Sequence, residues 1–270
     1  FATQQSANDA DQQQIEMAEQ LLELSGLSAH AEALPELAEA TLEQAAVDMP
    51  RSNRKQIRYA LREAFVAEQF KSELRAALLA EFDSEKIPAL ITRYRSSSVQ
   101  DVIRAAQKSL NTDRSSRAVW QSTMGQASST SQKRALIEQI VDNGFQKPVN
   151  QVMRRTLSSS LAQARASLSA GSNKQIHQDQ LDAEQHRYEF TKANGDDNAE
   201  LKRAIHGFRS VSASQLRAYL LRTRGEDSTW LNELAAQALG DALLDSVRKM
   251  QLLLEQNQQA GLQRSAYSSR

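Results

Sequence analysis

The residues whose types and spacing could do chemistry in this chain are His177, Asp179, Asp182, Glu184 and His186. On a helix, Asp179, Asp182 and His186 fall at i, i+3 and i+7, so two carboxylates and an imidazole share one face. An N/O set of that kind suits Zn or Mn. The surrounding segment is strongly polar, contains no HExxH, and is followed by no second ligand set at metal spacing. A solvated helix face has the same pattern. No metal ligand and no cofactor-binding residue is assigned.

Other chemistry finds fewer candidates. Ser96-Ser97-Ser98 and Ser158-Ser159-Ser160 stand outside any GxSxG elbow and have no His close in sequence. The remaining histidines are His30 and His206. The carboxylates are numerous, yet none sits in a visibly apolar stretch that would raise its pKa for acid catalysis. No Gly-rich phosphate loop is present, which argues against nucleotide binding. Cysteine is absent, so disulfides and thiolate chemistry are excluded. No catalytic residue is assigned, and the chain reads as a non-enzyme.

Charge is polarised along a neutral chain. Residues 1–50 hold 10 Asp or Glu and no Lys or Arg, whereas residues 51–80 hold 7 Lys or Arg against 3 Glu. Two readings stay open: acidic early helices packed beside a basic third helix, or an acidic surface for a basic partner. Arg51, Arg54, Lys55, Arg58 and Arg62 form a basic stripe that could touch phosphates or another anionic polymer, chiefly through Arg54, Arg58 and Arg62. It lacks interleaved aromatics, and the net charge is zero, so nucleic acid is not expected as a partner. Trp120 and Trp230 read as core or helix-junction anchors rather than ligand platforms.

These side chains must be positioned by helices. Ala, Leu, Gln, Glu, Arg and Ser dominate, with only 4 Pro and 9 Gly in 270 residues. No apolar run approaches the ~20 residues of a membrane span. Residues 1–8 are expected to be loose, with Asp9 or Asp11 capping a first helix that Gly26 stops in a left-handed conformation. A second helix starts at Ser28, is broken or kinked at Pro35, and ends at Met49-Pro50. A third runs from Ser52 to about Phe70, and a fourth from Ser72 to Phe82. Asp83 or Ser84 caps a fifth, Ser96-Ser97-Ser98 interrupts, and a sixth ends near Asn111. A weaker helix holds Val119 and Trp120. Residues 126–132 read as a linker. Beyond it, one helix ends at Gly144, a long one spans Val149 to Leu168, and residues 173–193 look helical and polar. A short helix over 198–206 follows, then one capped by Ser212 and Gln215 and stopped by Gly225. Asp227 or Ser228 caps a final helix towards Gln259, with residues 260–270 as a frayed tail.

The chain also looks like itself. Leu74-Arg75-Ala76-Ala77-Leu78-Leu79 returns as Leu216-Arg217-Ala218-Tyr219-Leu220-Leu221, and Leu22–Leu27 with its Gly26 has a counterpart in Ile140–Phe145 with Gly144. The first pair lies 142 residues apart and the glycines 118, which leaves 24 extra residues in the second copy, placed around 171–197. The expectation is an all-α protein of two tandem helical units, 9–125 and 133–259, their antiparallel helices packed into a bundle-like array.

Ala18–Leu27, a Leu/Ala-rich helix, Glu73–Leu79 and Leu90–Ser96 together resemble a bacterial family, the domain of unknown function 2059. Its pattern has a helix ending in a Gly-hydrophobic step, then an aromatic-rich helix ending in a Ser-Pro-x-Gly turn. Tyr94 and Ser96 fit; Ser97 stands where Pro is usual and Val99 where Gly is usual. The resemblance covers residues 14–110. The second half would be a diverged copy, with Ala238 at the Ser96 position and Gly240 near the turn. It implies an exported bacterial protein and supplies no catalytic residues. The start at Phe1 and the lack of cysteine fit a periplasmic or secreted chain with its signal peptide removed. The expected function is non-enzymatic binding of another envelope protein or envelope component. The alternative is a metal- or small-ligand-binding protein using a groove between the repeats or the 177–186 cluster.

Overall fold

The structure, a computed structural model, describes residues 2–45, 50–110, 131–169 and 197–268, and side-chain surroundings within 11–43, 50–110, 131–162 and 201–257. The chain is all-α, and among the described residues there is no strand. In order the helices are α1 (Ala2–Ser25), α2 (Leu27–Ala45), α3 (Arg51–Ala64), α4 (Ala67–Ala80), α5 (Lys86–Tyr94), α6 (Ser97–Leu110), α7 (Ser131–Asn143), α8 (Gln146–Ser169), α9 (Asp197–Gly207), α10 (Ala213–Thr223) and α11 (Glu226–Ser268). The stretch with Val119 and Trp120, most of the 126–132 linker, and the polar segment with His177 and His186 lie outside the described residues.

Several punctuation marks act as expected. Gly26 takes φ +80 between α1 and α2. The Asp83 carboxylate accepts from the Glu85 and Lys86 amides at 2.9 Å and opens α5. Ser212 and Gln215 form a reciprocal capping box. Gly225, at φ +154, separates α10 from α11.

Others do not. Helix α1 already begins at Ala2, and α11 runs on to Ser268 instead of fraying after Gln259. Pro35 lies inside an unbroken α2. A mid-helix proline costs about 3 kcal/mol. Burial of Leu34 and Leu37 beside it, at about 1.5–3 kcal/mol each, offsets that. The expected Ser52–Phe70 helix is cut at Phe65-Val66, where the backbone turns extended. The cut lets Phe65 and Phe70 both enter the core, their rings 6.1 Å apart. No glycine or proline marks it. Gly144 does not adopt positive φ, so α7 ends in a bend rather than a left-handed cap. Asp227 and Ser228 fall within the first turn of α11 rather than capping it. Asp227 is instead drawn to Arg93, 2.8 Å away.

The charge polarisation resolves within the fold. Glu39 on α2 pairs with Arg58 at 3.3 Å and Arg62 at 2.7 Å on α3, and Glu43 pairs with Arg58 at 3.2 Å. Lys71 meets Glu32 at 3.1 Å, and Arg75 meets Glu19 at 2.9 Å. The acidic helices therefore lie beside the basic ones, and two members of the basic stripe are engaged. Trp230 serves as a junction anchor: its indole N–H donates to Glu81 at 3.2 Å, with the Lys86 ammonium 5.5 Å from its ring.

Packing cuts across the 125/133 division. The main core joins residues of α1 to α6 with residues of α8 and α11, which packs on α3, α4 and α8. A second core joins Val102 and Ala105 of α6 to α7, α9 and α10. Helix α6 thus feeds both cores, Val99 and Ile103 to one and Val102 and Ala105 to the other. The two LRAxLL segments are both helical, and Leu74 and Leu216 are both buried. Their surroundings differ, since Leu78 is fully buried whereas its counterpart Leu220 is half-buried, and Leu79 is half-buried whereas Leu221 is exposed.

Two glycines report on helix contacts. A Cβ on Gly207 would lie 2.8 Å from the Ser109 Cβ, so α9 touches α6 there with no room for a methyl. A Cβ on Gly240, inside α11, would meet nothing within 4 Å. Gly240→Ala should therefore raise the urea midpoint by about 0.5–1 kcal/mol of stability, the helix-propensity gain, while Gly207→Ala should lower it. A Gly240→Ala variant that is destabilised would contradict this packing.

Candidate functional site

The site begins at two chain elbows. Ser25-Gly26-Leu27 joins α1 to α2, and Asn143-Gly144-Phe145 joins α7 to α8. Both line one cavity of ≈ 80 Å³, closed by α6 and by the ends of α5, α10 and α11. Its wall draws residues from both sides of the 126–132 stretch.

His30 lies in its wall. It sits on the first turn of α2, one helical step from Leu27 and one from Leu34, both fully buried. This stripe carries the imidazole inward, leaving 1% of the residue exposed. The ring meets Phe145 edge to face, with centroids 5.0 Å apart at 87°. The contact ties the first turn of α2 to the second elbow. Neither ring nitrogen has a hydrogen-bond partner among the described residues. Burial, with the Arg203 charge acting in the same direction, lowers the His30 pKa to about 4. The ring is therefore neutral at pH 7, with one N–H to give and one bare nitrogen to accept.

The rest of the wall is uncharged. Burial pushes the Tyr94 phenol well above its usual pKa, and the neighbouring Tyr219 adds to the effect. Burial likewise pushes Tyr219 up to about 12. Asn143, Asn232, Gln107, Gln146 and Thr223 add neutral polar groups among apolar side chains such as Ile103 and Leu231. Among the described residues no Asp, Glu, Lys or Arg lines the cavity. Two amides brace it. Gln100 donates to the carbonyls of Leu24 at 2.8 Å and Tyr94 at 2.7 Å, and Asn232 donates to the Asn143 carbonyl at 2.9 Å. These bonds occupy helix-end acceptors that would otherwise lack partners.

The sequence did not single out His30. Its signal was the spacing Leu27, His30, Leu34, Leu37, which puts an imidazole on an otherwise apolar stripe. Tyr94, the aromatic of the Tyr94–Ser96 match, lines the same cavity. The His177–His186 cluster lies outside the described residues. Among the described residues no group of three or more His, Asp or Glu is arranged to hold a metal. Nor is any helix there long and apolar enough to cross a membrane. Comparisons with protein-family models, with curated proteins and with solved structures find no match for this chain.

The buried imidazole predicts a pH dependence. Unfolded, it titrates near 6.5; folded, at about 4. Between those values the unfolded chain holds a proton that the folded chain refuses, so stability rises with pH across this window. Acidification from pH 6.5 to 4 should remove roughly 3 kcal/mol through His30. His30→Phe, which keeps the edge-to-face ring, should flatten that part of the urea-midpoint profile. An unchanged slope in the variant would show that His30 is not the titrating group.

Proposed function

We propose that this chain is a non-enzymatic binding protein that holds a small molecule in the cavity between its Gly26 and Gly144 elbows. The observation that carries the reading is His30, a buried imidazole in the cavity wall with neither nitrogen hydrogen-bonded among the described residues. An unmet buried polar group costs about 1–3 kcal/mol, and a bound molecule that supplies a donor or acceptor removes that cost. Binding fits better than catalysis. Proton transfer at neutral pH works best with a group titrating near 7, and His30 is held far below that. Among the described residues no lining carboxylate is available to orient the ring or share its proton. The lack of cysteine and the resemblance to an exported family support an envelope location for this binder, which fractionation of cells expressing the natural gene would check.

A two-dimensional NMR screen of small fragments tests the reading. Fragments should shift the amides of Gly26, Gly144 and Phe145 together and saturably. Ala106→Leu, which adds bulk to the half-buried cavity wall on α6, should abolish the shifts while the chain stays folded. Shifts confined to other surfaces, or none with any fragment, would contradict a ligand site here.

A further inference from the structure

The cavity also specifies the class of molecule it takes, an inference that rests on the reading above. Its volume of ≈ 80 Å³ is about half that of an apolar cavity that accepts benzene, and holds roughly the liquid share of two or three waters. A guest therefore has about three or four non-hydrogen atoms. Its affinity is bounded accordingly, with Kd no tighter than about 40 µM.

Charge is the second selector. An ionised guest loses its hydration on entry and needs a counter-charge, and the described residues of the wall supply none. The ionisable groups that face the space, His30, Tyr94 and Tyr219, are all held neutral by burial. Helix dipoles do not supply a net charge. Each elbow sets the carbonyl end of one helix (α1 or α7) beside the amide end of the next (α2 or α8), so their fields oppose at the cavity. Arg203, whose charge is felt at His30, opposes a cationic guest further, and it is not among the described residues lining the cavity, so it offers an anion no direct contact.

Hydrogen bonding is the third selector. The lining amides, phenols and Thr223 hydroxyl present donors and acceptors, and the neutral His30 ring beside them holds one of each that no described residue meets. Leu27, Ile103, Phe145 and Leu231 face the same space with hydrocarbon. We infer that the cavity binds a short, uncharged molecule that both donates and accepts hydrogen bonds and carries a small apolar end, such as a simple amide.

Three molecules of nearly one shape separate the charges: acetamide, acetate and acetamidinium. Each is titrated at pH 7.5 into the full chain while the imidazole ¹⁵N resonances of His30 are followed. Acetamide should shift them saturably, and the two ions should bind at least tenfold more weakly. Ala106→Leu should lose the acetamide response. His30→Gln, which keeps a donor and an acceptor, should retain binding better than His30→Phe. Acetate or acetamidinium binding as tightly as acetamide would overturn the neutral class while leaving the site standing. Other fragments filling the cavity while acetamide does not would do the same. If no fragment reaches the cavity, the binding reading itself falls.

Discussion

The structure depends on an imidazole enclosed where two chain elbows meet. His30 reaches that place because α2 has one buried stripe and His30 stands on it between Leu27 and Leu34. The edge contact with Phe145 then fixes the start of α8 against the start of α2. Leaving a polar ring unsatisfied costs about as much as a lost buried hydrogen bond, and the surrounding helices tolerate it. An apolar side chain at position 30 would avoid that cost.

The rest of the fold holds that meeting point. Helix α6 feeds the main core with Val99 and Ile103 and the second core with Val102 and Ala105. The cavity lies where the two cores adjoin, and Tyr219 packs against both. Helix α11 ties α8 to α3 and α4, so both sides of the chain are bound into the main core. The ion pairs from Glu39, Glu43 and Glu32 to the basic helices sit at the surface, where such pairs contribute little each. They set which helices lie side by side; apolar burial supplies the stability.

Much of the architecture could be read in the sequence because its signals are local. The Ser212–Gln215 box, Gly225, the Asp83 cap and the Ser96-Ser97-Ser98 interruption each name a helix end through their own side chains or backbone freedom. The features that misled are decided by tertiary contact. Phe65-Val66 breaks a good helical pattern because two phenylalanines need the core. Pro35 stays helical because Leu34 and Leu37 are buried around it. Gly144, matched to Gly26 by the repeat, turns the chain without a left-handed residue. The repeat paired the Gly26 and Gly144 elbows and read them as scaffold. It did not reveal that they face one another, because that depends on how α6 and α8 pack. His30 was visible as a histidine on an apolar stripe, yet only the fold shows that its ring borders a cavity and that its nitrogens have no partner among the described residues.

The most direct measurement of this account is a crystal structure of the chain at a resolution that defines individual waters and small molecules. It should show the His30 ring enclosed between the Gly26 and Gly144 elbows, edge-on to Phe145, with a bound small molecule hydrogen-bonded to the ring. A His30 ring bonded at both nitrogens to groups of the protein itself, or a cavity filled by another part of the chain, would contradict it.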